Sequence, residues 1–187
     1  MDLGAGDGAF VVGTATARPD VLVVGVDAHG LSMAPAGRTI QRRRLTNALL
    51  VAARAEELPP ELHGLAAAVR VHFPWGSLLS GLVGGQDVGR DGGQDGVVAG
   101  LARIARPGGT VTAVLSVSER ERGLGLPVLD ALLAPGLAAR CARQGLTLTE
   151  WRPATEAELA ETRSSWAKRL GAGARREAWV LRLVRAG

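Results

Sequence analysis

The first eight residues combine an aspartate with three closely spaced glycines. Residues 2–8 read D-L-G-A-G-D-G, so Asp2 stands two positions before Gly4, and Gly6 and Gly8 follow at alternate positions. Glycine allows the backbone to pass close to a bound ligand and to turn sharply into a helix. The segment therefore predicts a ligand-binding loop between a strand and a helix, with a carboxylate beside the ligand.

The spacing of these glycines differs from that of a dinucleotide site. The dinucleotide fingerprint reads G-x-G-x-x-G and places a pyrophosphate at the N-terminus of a helix, whereas this loop reads G-x-G-x-G. An acid followed by the shorter spacing is typical of S-adenosylmethionine sites, whose ligand has no pyrophosphate. We expect Gly4 and Gly6 to line such a site and Asp2 to face the charged amino-acid end of the cofactor.

Two further segments extend the predicted cofactor site. Asp27 closes the apolar run V-L-V-V-G-V-D, about twenty residues after the glycine loop, where an acid commonly binds both ribose hydroxyls. Ala55 and Glu56 follow the next strand and are the candidates for contact with the adenine ring. The alternative is a generic strand-loop-helix unit with a surface aspartate, but three features in the expected order favour the cofactor site.

Two of the four tryptophans lie in loops that could hold a substrate. Trp75 follows the fourth predicted strand in F-P-W-G-S-L-L, and Trp166 lies before the last strand in S-S-W-A-K-R-L. Two indoles on opposite loops could sandwich an extruded nucleobase, since each stack contributes roughly 1–3 kcal/mol. The alternative places both in the core, as we expect for Trp151 and Trp179, which lie within predicted strands.

Basic residues follow Trp166 directly. Lys168, Arg169, Arg175 and Arg176 could bind the phosphates around an extruded base and fix the register of the protein on RNA. The net charge of the chain is +4, and Lys168 is its only lysine. A GC-rich genome produces the same excess of arginine, and the run could also be a solvated loop, so position is more informative than number.

Apolar strand-like runs alternate with helical segments, which is the pattern of a parallel α/β sheet. We predict strands at 21–26, 49–53, 66–73, 110–117, 146–151 and 178–184, and helices at 31–45, 97–105, 128–144 and 155–162. A loop turns into a helix at 75–83, and 164–170 form a basic turn or helix. Residues 84–96 are rich in Gly and Asp, which predicts a flexible surface loop within a single domain spanning 1–187.

Composition excludes several classes of protein. No uncharged apolar run is long enough to cross a membrane, so we expect no membrane span, and we expect no signal peptide because no basic segment precedes a hydrophobic stretch at the N-terminus. Cys141 is the single cysteine, which excludes an internal disulfide and a zinc site made of cysteines. We expect a cytoplasmic protein that holds no metal.

The glycine loop begins almost at the first residue. Such a loop normally follows a strand of about five residues, but here only the end of that strand is present. We therefore expect a truncated first strand at the centre of the sheet. The short strand has two explanations: a GTG initiator codon read as Met1, or a truncated or degenerate gene. Mass spectrometry of the native N-terminus distinguishes them.

With these motifs, the chain resembles the aminoglycoside-resistance methyltransferases that modify N1 of adenine 1408 in 16S rRNA. The resemblance runs from residue 2 to the C-terminus through D-L-G-A-G-D-G, V-V-G-V-D-A, A-E-E-L-P-P, P-W-G-S-L-L, A-R-P-G-G and S-S-W-A-K-R-L, in that order. P-W-G-S-L-L and S-S-W are its specific elements, and the others occur in many methyltransferases. The family has an N-terminal hairpin and a full first strand, which this sequence lacks.

The resemblance implies a Rossmann-like class I S-adenosylmethionine-dependent methyltransferase, with a seven-stranded, mostly parallel sheet. It implies a monomer that acts on the 30S subunit, on an adenine flipped out of helix 44 of 16S rRNA, and that blocks drugs such as kanamycin and apramycin. Carried over by motif, Asp2, Gly4, Asp27, Ala55 and Glu56 would line the cofactor site, Trp75 and Trp166 would clamp the adenine beside Ser77, and Lys168, Arg169 and Arg176 would contact rRNA.

The implied chemistry is direct methyl transfer. N1 of neutral adenine carries a lone pair and no proton, so the reaction needs alignment rather than a general base. Stacked indoles could stabilise the cationic product ring, and His29, His63 and His72 are interpreted as structural or exposed. A small-molecule methyltransferase with a closed apolar pocket and an inactive, truncated homologue are the alternatives.

Overall fold

The computed structural model describes residues 1–85, 95–162 and 177–187. Within these ranges the strands are β1 (Asp2–Leu3), β2 (Val23–Asp27), β3 (Ala48–Ala52), β4 (Ala66–His72), β5 (Ala105–Leu115), β6 (Leu146–Pro153) and β7 (Trp179–Arg185). The helices are α1 (Ala9–Ala17), α2 (Ala34–Arg43), α3 (Gly76–Val83), α4 (Gly96–Ile104), α5 (Glu119–Gly123), α6 (Ala134–Arg143) and α7 (Glu156–Glu161). None of the helices in these ranges is long and apolar enough to cross a membrane.

The strands form one sheet in the order β3-β2-β1-β4-β5-β7-β6. Neighbours from β3 to β5 pair in parallel, and β7 is antiparallel to both β5 and β6. This confirms the predicted seven-stranded, mostly parallel sheet. The strand order reverses between β1 and β4, and in open α/β sheets ligands bind beyond the carboxyl ends of the strands at such a point.

The first strand comprises two residues and lies at the centre of the sheet. Asp2 and Leu3 pair with Gly25 and Val26 of β2, and Asp2 also pairs with Arg70 of β4. Both residues of β1 are buried. Two residues are enough to place the start of the glycine loop between β2 and β4.

The core lies on both faces of the sheet, as expected for parallel strands buried on two sides. The larger cluster joins the sheet to α3, α4 and α6, and the smaller one joins it to α1 and α2. Trp179 belongs to the larger cluster, and its ring centroid lies 4.9 Å from that of Trp151. Trp151 also donates from Nε1 to the carbonyl of Asp130 at 2.6 Å. The packing roles predicted for these two tryptophans are confirmed.

Several predicted boundaries differ from the observed ones. The helix predicted at 31–45 is a 3-10 turn followed by α2, and the helix predicted at 128–144 begins only at Ala134. β5 begins directly after α4 and runs through Pro107 and two glycines, which the prediction leaves between the helix at 97–105 and the strand at 110–117. Pro107 is tolerated because it lies within the register shift between the pairs Ala66–Ala105 and Ala68–Thr110, before the regular pairing of β5 with β4 begins. Most of the loop predicted at 84–96 and all of 164–170 lie outside the described residues.

Candidate cofactor and substrate cleft

A cleft of about 420 Å³ opens beyond the carboxyl ends of the central strands. The glycine loop after β1 and the segments after β2, β3 and β4 form its walls. Its volume falls within the range of about 300–1,000 Å³ that is usual for small-molecule sites. The cleft therefore lies where the strand order of the sheet reverses, and its size suits a nucleoside-sized cofactor.

The glycine loop adopts a backbone that other residues rarely take. Gly4, Gly6 and Gly8 have φ angles of 76°, 57° and 74°, all in the left-handed region. A Cβ on Gly4 would lie 2.7 Å from Cδ2 of Leu78, which comes from the wall after β4. The backbone angle therefore favours glycine at Gly4, and any side chain there would also have to displace the end of Leu78.

Asp27 ties two walls of the cleft together. Its Oδ2 accepts a hydrogen bond from the backbone N–H of Gly6, and its Oδ1 accepts one from the N–H of His29, each at 2.8 Å. A carboxylate oxygen can accept more than one hydrogen bond. The carboxylate can therefore hold the glycine loop in place and still accept hydrogen bonds from ribose hydroxyls.

Asp2 brings a buried carboxylate to the inner end of the cleft. The residue is 2% exposed, and its Oδ1 is fully buried with no hydrogen-bond partner among the described residues. Nδ1 of His72 lies 3.5 Å from this oxygen. Because a buried carboxylate is costly unless it is paired, this position suits a cationic group of a ligand. The buried carboxylate and the left-handed glycine loop are both consistent with an S-adenosylmethionine site.

The segment after β3 forms a supported side wall. Ala55 and Glu56 both line the cleft. The backbone carbonyl of Glu56 accepts a hydrogen bond from Arg103 of α4 at 2.7 Å, and Gly100 of the same helix lies against the carbonyl of Ala55. α4 thus fixes this wall from behind.

Trp75 lies at the mouth of the cleft, where its indole is available to a ligand. It is 62% exposed, and it occupies the N-cap position of α3 in an extended backbone conformation. The imidazole of His29 stacks beside it, with ring centroids 6.1 Å apart and planes 24° from parallel. Ser77 lines the same cleft. The alternative that Trp75 is a core residue is therefore wrong.

Comparison with known sequences identifies the family. The family described as "NpmA: 16S rRNA (adenine(1408)-N(1))-methyltransferase" matches residues 1–185. The chain belongs to this methyltransferase family. A 16S rRNA (adenine(1408)-N(1))-methyltransferase from Streptoalloteichus hindustanus is 33% identical over 179 residues, which cover 91% of this chain and 79% of the relative. One from Escherichia coli is 26% identical, with 94% and 82% covered.

Solved structures of similar methyltransferases have the same fold. The 16S rRNA methyltransferase KamB is 28% identical and has a TM-score of 0.81, over 100% of this chain and 86% of KamB. A tryptophan-to-alanine mutant of the enzyme from Catenulisporales acidiphilia, solved with its cosubstrate S-adenosylmethionine, is 31% identical. Its TM-score is also 0.81, over 100% of this chain and 84% of that chain. The class I methyltransferase fold expected from the sequence is confirmed.

Part of the predicted methyltransferase site cannot be placed. Trp166, Lys168, Arg169, Arg175 and Arg176 lie outside the described residues, so their roles stay predictions. Thr162, the last described residue before them, is 1% exposed and lines the cleft.

Several side chains that line the cleft have no predicted role in binding, and His29, His72 and Phe10 are among them. His29 and His72 were expected to be structural or exposed, and Phe10 had no predicted role, but all three contribute to its walls. Their positions next to predicted motifs are a usable signal. His29 comes two residues after Asp27, His72 ends β4, and Phe10 follows the glycine loop, so each adjoins a motif of the methyltransferase site.

Proposed function

We propose that this chain transfers the methyl group of S-adenosylmethionine to N1 of adenine 1408 in 16S rRNA of the 30S subunit, and that it thereby confers resistance to aminoglycosides. The observation that carries the proposal is the exposed indole of Trp75 at the mouth of a cleft whose inner end holds the buried carboxylate of Asp2. One end of this cleft suits a cation, and the other suits a flat base.

The inner cleft supplies groups for each part of the cofactor. Asp2 would bind the ammonium group, Gly4 and Gly6 would lie against the cofactor, and Asp27 would bind the ribose hydroxyls. Ala55 and Glu56 would contact the adenine ring. When bound, S-adenosylmethionine supplies a methyl group on a positively charged sulfur. The hydrogen bond from Gly6 to Asp27 holds the loop and the carboxylate in a fixed relative position before the cofactor binds. This lowers the entropy that is lost when the cofactor binds.

The outer cleft supplies a stacking surface for the target base. Trp75 would stack on the flipped adenine of helix 44, which contributes roughly 1–3 kcal/mol. Trp166 would be the second face of the clamp, with Ser77 close by, and its position four residues after the cleft residue Thr162 supports this role. Lys168, Arg169, Arg175 and Arg176 would bind phosphates around the base.

The residues of the chain would act by positioning rather than by moving protons. N1 of adenine has a free lone pair at neutral pH, so no side chain has to remove a proton first. Trp75 would hold the ring against translation and rotation, and such alignment can supply much of the rate enhancement. The methylated ring is a cation, which the π face of the indole stabilises through a cation–π interaction.

The exposure of Trp75 favours a macromolecular substrate over a small molecule. A small-molecule enzyme encloses its acceptor in an apolar pocket, whereas more than half of this indole is open to solvent. A large substrate can cover the indole on binding. Because that substrate is the ribosomal subunit, we place the enzyme in the cytoplasm, where we expect it to act as a monomer.

The function can be tested in an aminoglycoside-sensitive bacterium. Expression of the chain should confer resistance to kanamycin and apramycin, and primer extension on 16S rRNA should stop at adenine 1408. If purified, folded protein binds S-adenosylmethionine but leaves this adenine unmodified in 30S subunits, the proposed substrate is wrong.

The role of Trp75 can be tested with two substitutions at the same position. Trp75→Ala should lower the methylation rate roughly 10- to 100-fold, the equivalent of losing one stacked base. Trp75→Phe, which keeps a flat ring, should retain most of the activity. Calorimetry should show cofactor affinity unchanged in both. Methylation by Trp75→Ala at the wild-type rate would disprove the clamp.

A further inference from the structure

Two buried polar atoms face each other at the inner end of the cleft. Oδ1 of Asp2 and Nδ1 of His72 are both fully buried, and neither has a hydrogen-bond partner within residues 1–85, 95–162 and 177–187. They lie 3.5 Å apart, with the side chains of Asp2 and His72 only 3% and 11% exposed. Since nearly all buried polar atoms in proteins are hydrogen-bonded, a pair of unpartnered atoms at one place requires an explanation.

The register of the sheet brings these two residues together. Asp2 in β1 pairs with Arg70 in β4, and His72 lies two residues further towards the carboxyl end of β4. Side chains two residues apart on a strand point to the same face of the sheet. His72 therefore extends from β4 towards the ligand side of Asp2, and it lines the cleft.

The imidazole of His72 is held in place by a neighbouring ring. The centroid of Phe10 lies 4.5 Å from that of His72, with the rings inclined at 64°, which is an edge-to-face arrangement. Phe10 belongs to α1, directly after the glycine loop. The ring of His72 thus packs against Phe10 with its Nδ1 towards the carboxylate of Asp2.

The distance between Asp2 and His72 is only slightly longer than a hydrogen bond. An N–H···O bond usually spans about 2.7–3.2 Å, so a shift of a few tenths of an ångström brings Nδ1 and Oδ1 into range. A neutral imidazole with its proton on Nδ1 is a sufficient donor. One hydrogen bond of this kind would occupy Oδ1 and leave the other oxygen of Asp2 for a cation.

We propose that His72 is a positioning residue for the cofactor. By donating from Nδ1 to Oδ1 of Asp2, it fixes the carboxylate in the orientation that binds the ammonium group of S-adenosylmethionine. This inference rests on the proposed function, in which Asp2 binds that ammonium group. In this role His72 acts through the carboxylate of Asp2 rather than on the reacting groups.

The test compares two ligands that differ in the amino-acid group. S-adenosylhomocysteine carries the ammonium group, and 5′-methylthioadenosine keeps the nucleoside but lacks the amino acid. His72→Phe keeps a flat ring beside Phe10 and removes the donor, whereas His72→Asn keeps a donor near the position of Nδ1. The control is His63→Asn, since His63 is exposed and lies outside the cleft. Calorimetry measures both affinities for each variant, and thermal unfolding checks the fold.

We expect His72→Phe to weaken the binding of S-adenosylhomocysteine about ten-fold or more, because one hydrogen bond to a charged group is lost. Binding of 5′-methylthioadenosine should stay within two-fold of wild type, His72→Asn should restore most of the lost affinity, and His63→Asn should behave as wild type. Equal weakening of both ligands by His72→Phe, or no weakening of either, would overturn the inference.

Asp2→Asn separates failure of this inference from failure of the proposed site. If Asp2→Asn weakens S-adenosylhomocysteine selectively but His72→Phe does not, the role of Asp2 stands and that of His72 is wrong. If Asp2→Asn leaves both affinities unchanged, the proposed cofactor site itself is wrong, and the role of His72 is wrong with it.

Discussion

Replacement of Gly100, which lies behind the cofactor cleft, should destabilise the protein and weaken cofactor binding. Gly100 lies in α4, where the helix presses against the wall formed by Ala55 and Glu56. A Cβ at this position would overlap the carbonyl oxygen of Ala55 and lie 3.0 Å from the carbonyl carbon. Carbon atoms in contact normally stay about 3.5–4.0 Å apart. The overlap with the carbonyl oxygen is the tighter of the two contacts, so Gly100→Ala must displace the helix or the wall by about 1 Å or more.

The expected cost of Gly100→Ala follows from this overlap. Overpacking of a well-packed interior costs about 1–3 kcal/mol. For a chain of this size, each kcal/mol lowers the melting temperature by about 2–4 °C. We expect a decrease of roughly 2–12 °C in thermal unfolding. Calorimetry should also show weaker binding of S-adenosylhomocysteine, because the displaced wall is the one proposed to contact the adenine.

The matched control is the same substitution in another helix. Gly136 lies in α6, and a Cβ there would have no atom within 4 Å. Alanine is about 0.5–1 kcal/mol more favourable than glycine within a helix, so Gly136→Ala should leave cofactor binding unchanged and raise the melting temperature slightly. If Gly100→Ala were as stable as Gly136→Ala and bound the cofactor equally well, the packing of α4 against Ala55 would be refuted.

Two further predictions concern ion pairs outside the cleft. Hydrogen bonds from Arg152 lower the pKa of the Glu158 carboxyl from 4.5 to about 2. The ionised carboxylate therefore stabilises the folded state fully above pH 4.5, and this contribution is lost as the pH falls towards 2. The difference in unfolding free energy between wild type and Glu158→Gln should therefore close over this window in urea titrations, while Glu156→Gln shows no such change. Arg140 donates to Asp95 and to the carbonyls of Gly81 and Leu82 at the end of α3. Arg140→Ala should cost about 2–3 kcal/mol in urea unfolding, since these acceptors lose their donor, and Arg143→Ala, whose side chain is 57% exposed, should cost less than about 1 kcal/mol.

Local sequence patterns predict the elements whose conformation depends on residues that are neighbours in the chain. The apolar run of β2 predicts a strand buried on both faces, and the glycine loop predicts the left-handed backbone found at Gly4. α5 was missed, although Ser118 and Glu121 form a capping box that marks its beginning. The start of β5 was missed because Pro107 and two glycines are loop signals, which the pairing of β5 with β4 overrides.

The contacts that build the site depend on strand register, which local sequence does not encode. Asp2 and His72 meet because β1 lies beside β4, and they are 70 positions apart in the chain. The hydrogen bond from Gly6 to Asp27 likewise depends on the pairing of β1 with β2. Residue types could identify the candidates, but only the assembled sheet shows which of them hold one another in place.

The backbone around Trp75 gives an independent reason to assign a function to its exposure. Phe73 has a φ angle of 47°, a rare conformation for a bulky residue, and Gly76 follows with 58°. Phe73 is 3% exposed and packs with Val114 and Ala178, so the core fixes this turn. The result is an unfavourable backbone conformation that directs a large apolar ring into solvent, and both features cost stability. A partner that covers the indole would recover the second cost, which is what stacking on a flipped adenine would do.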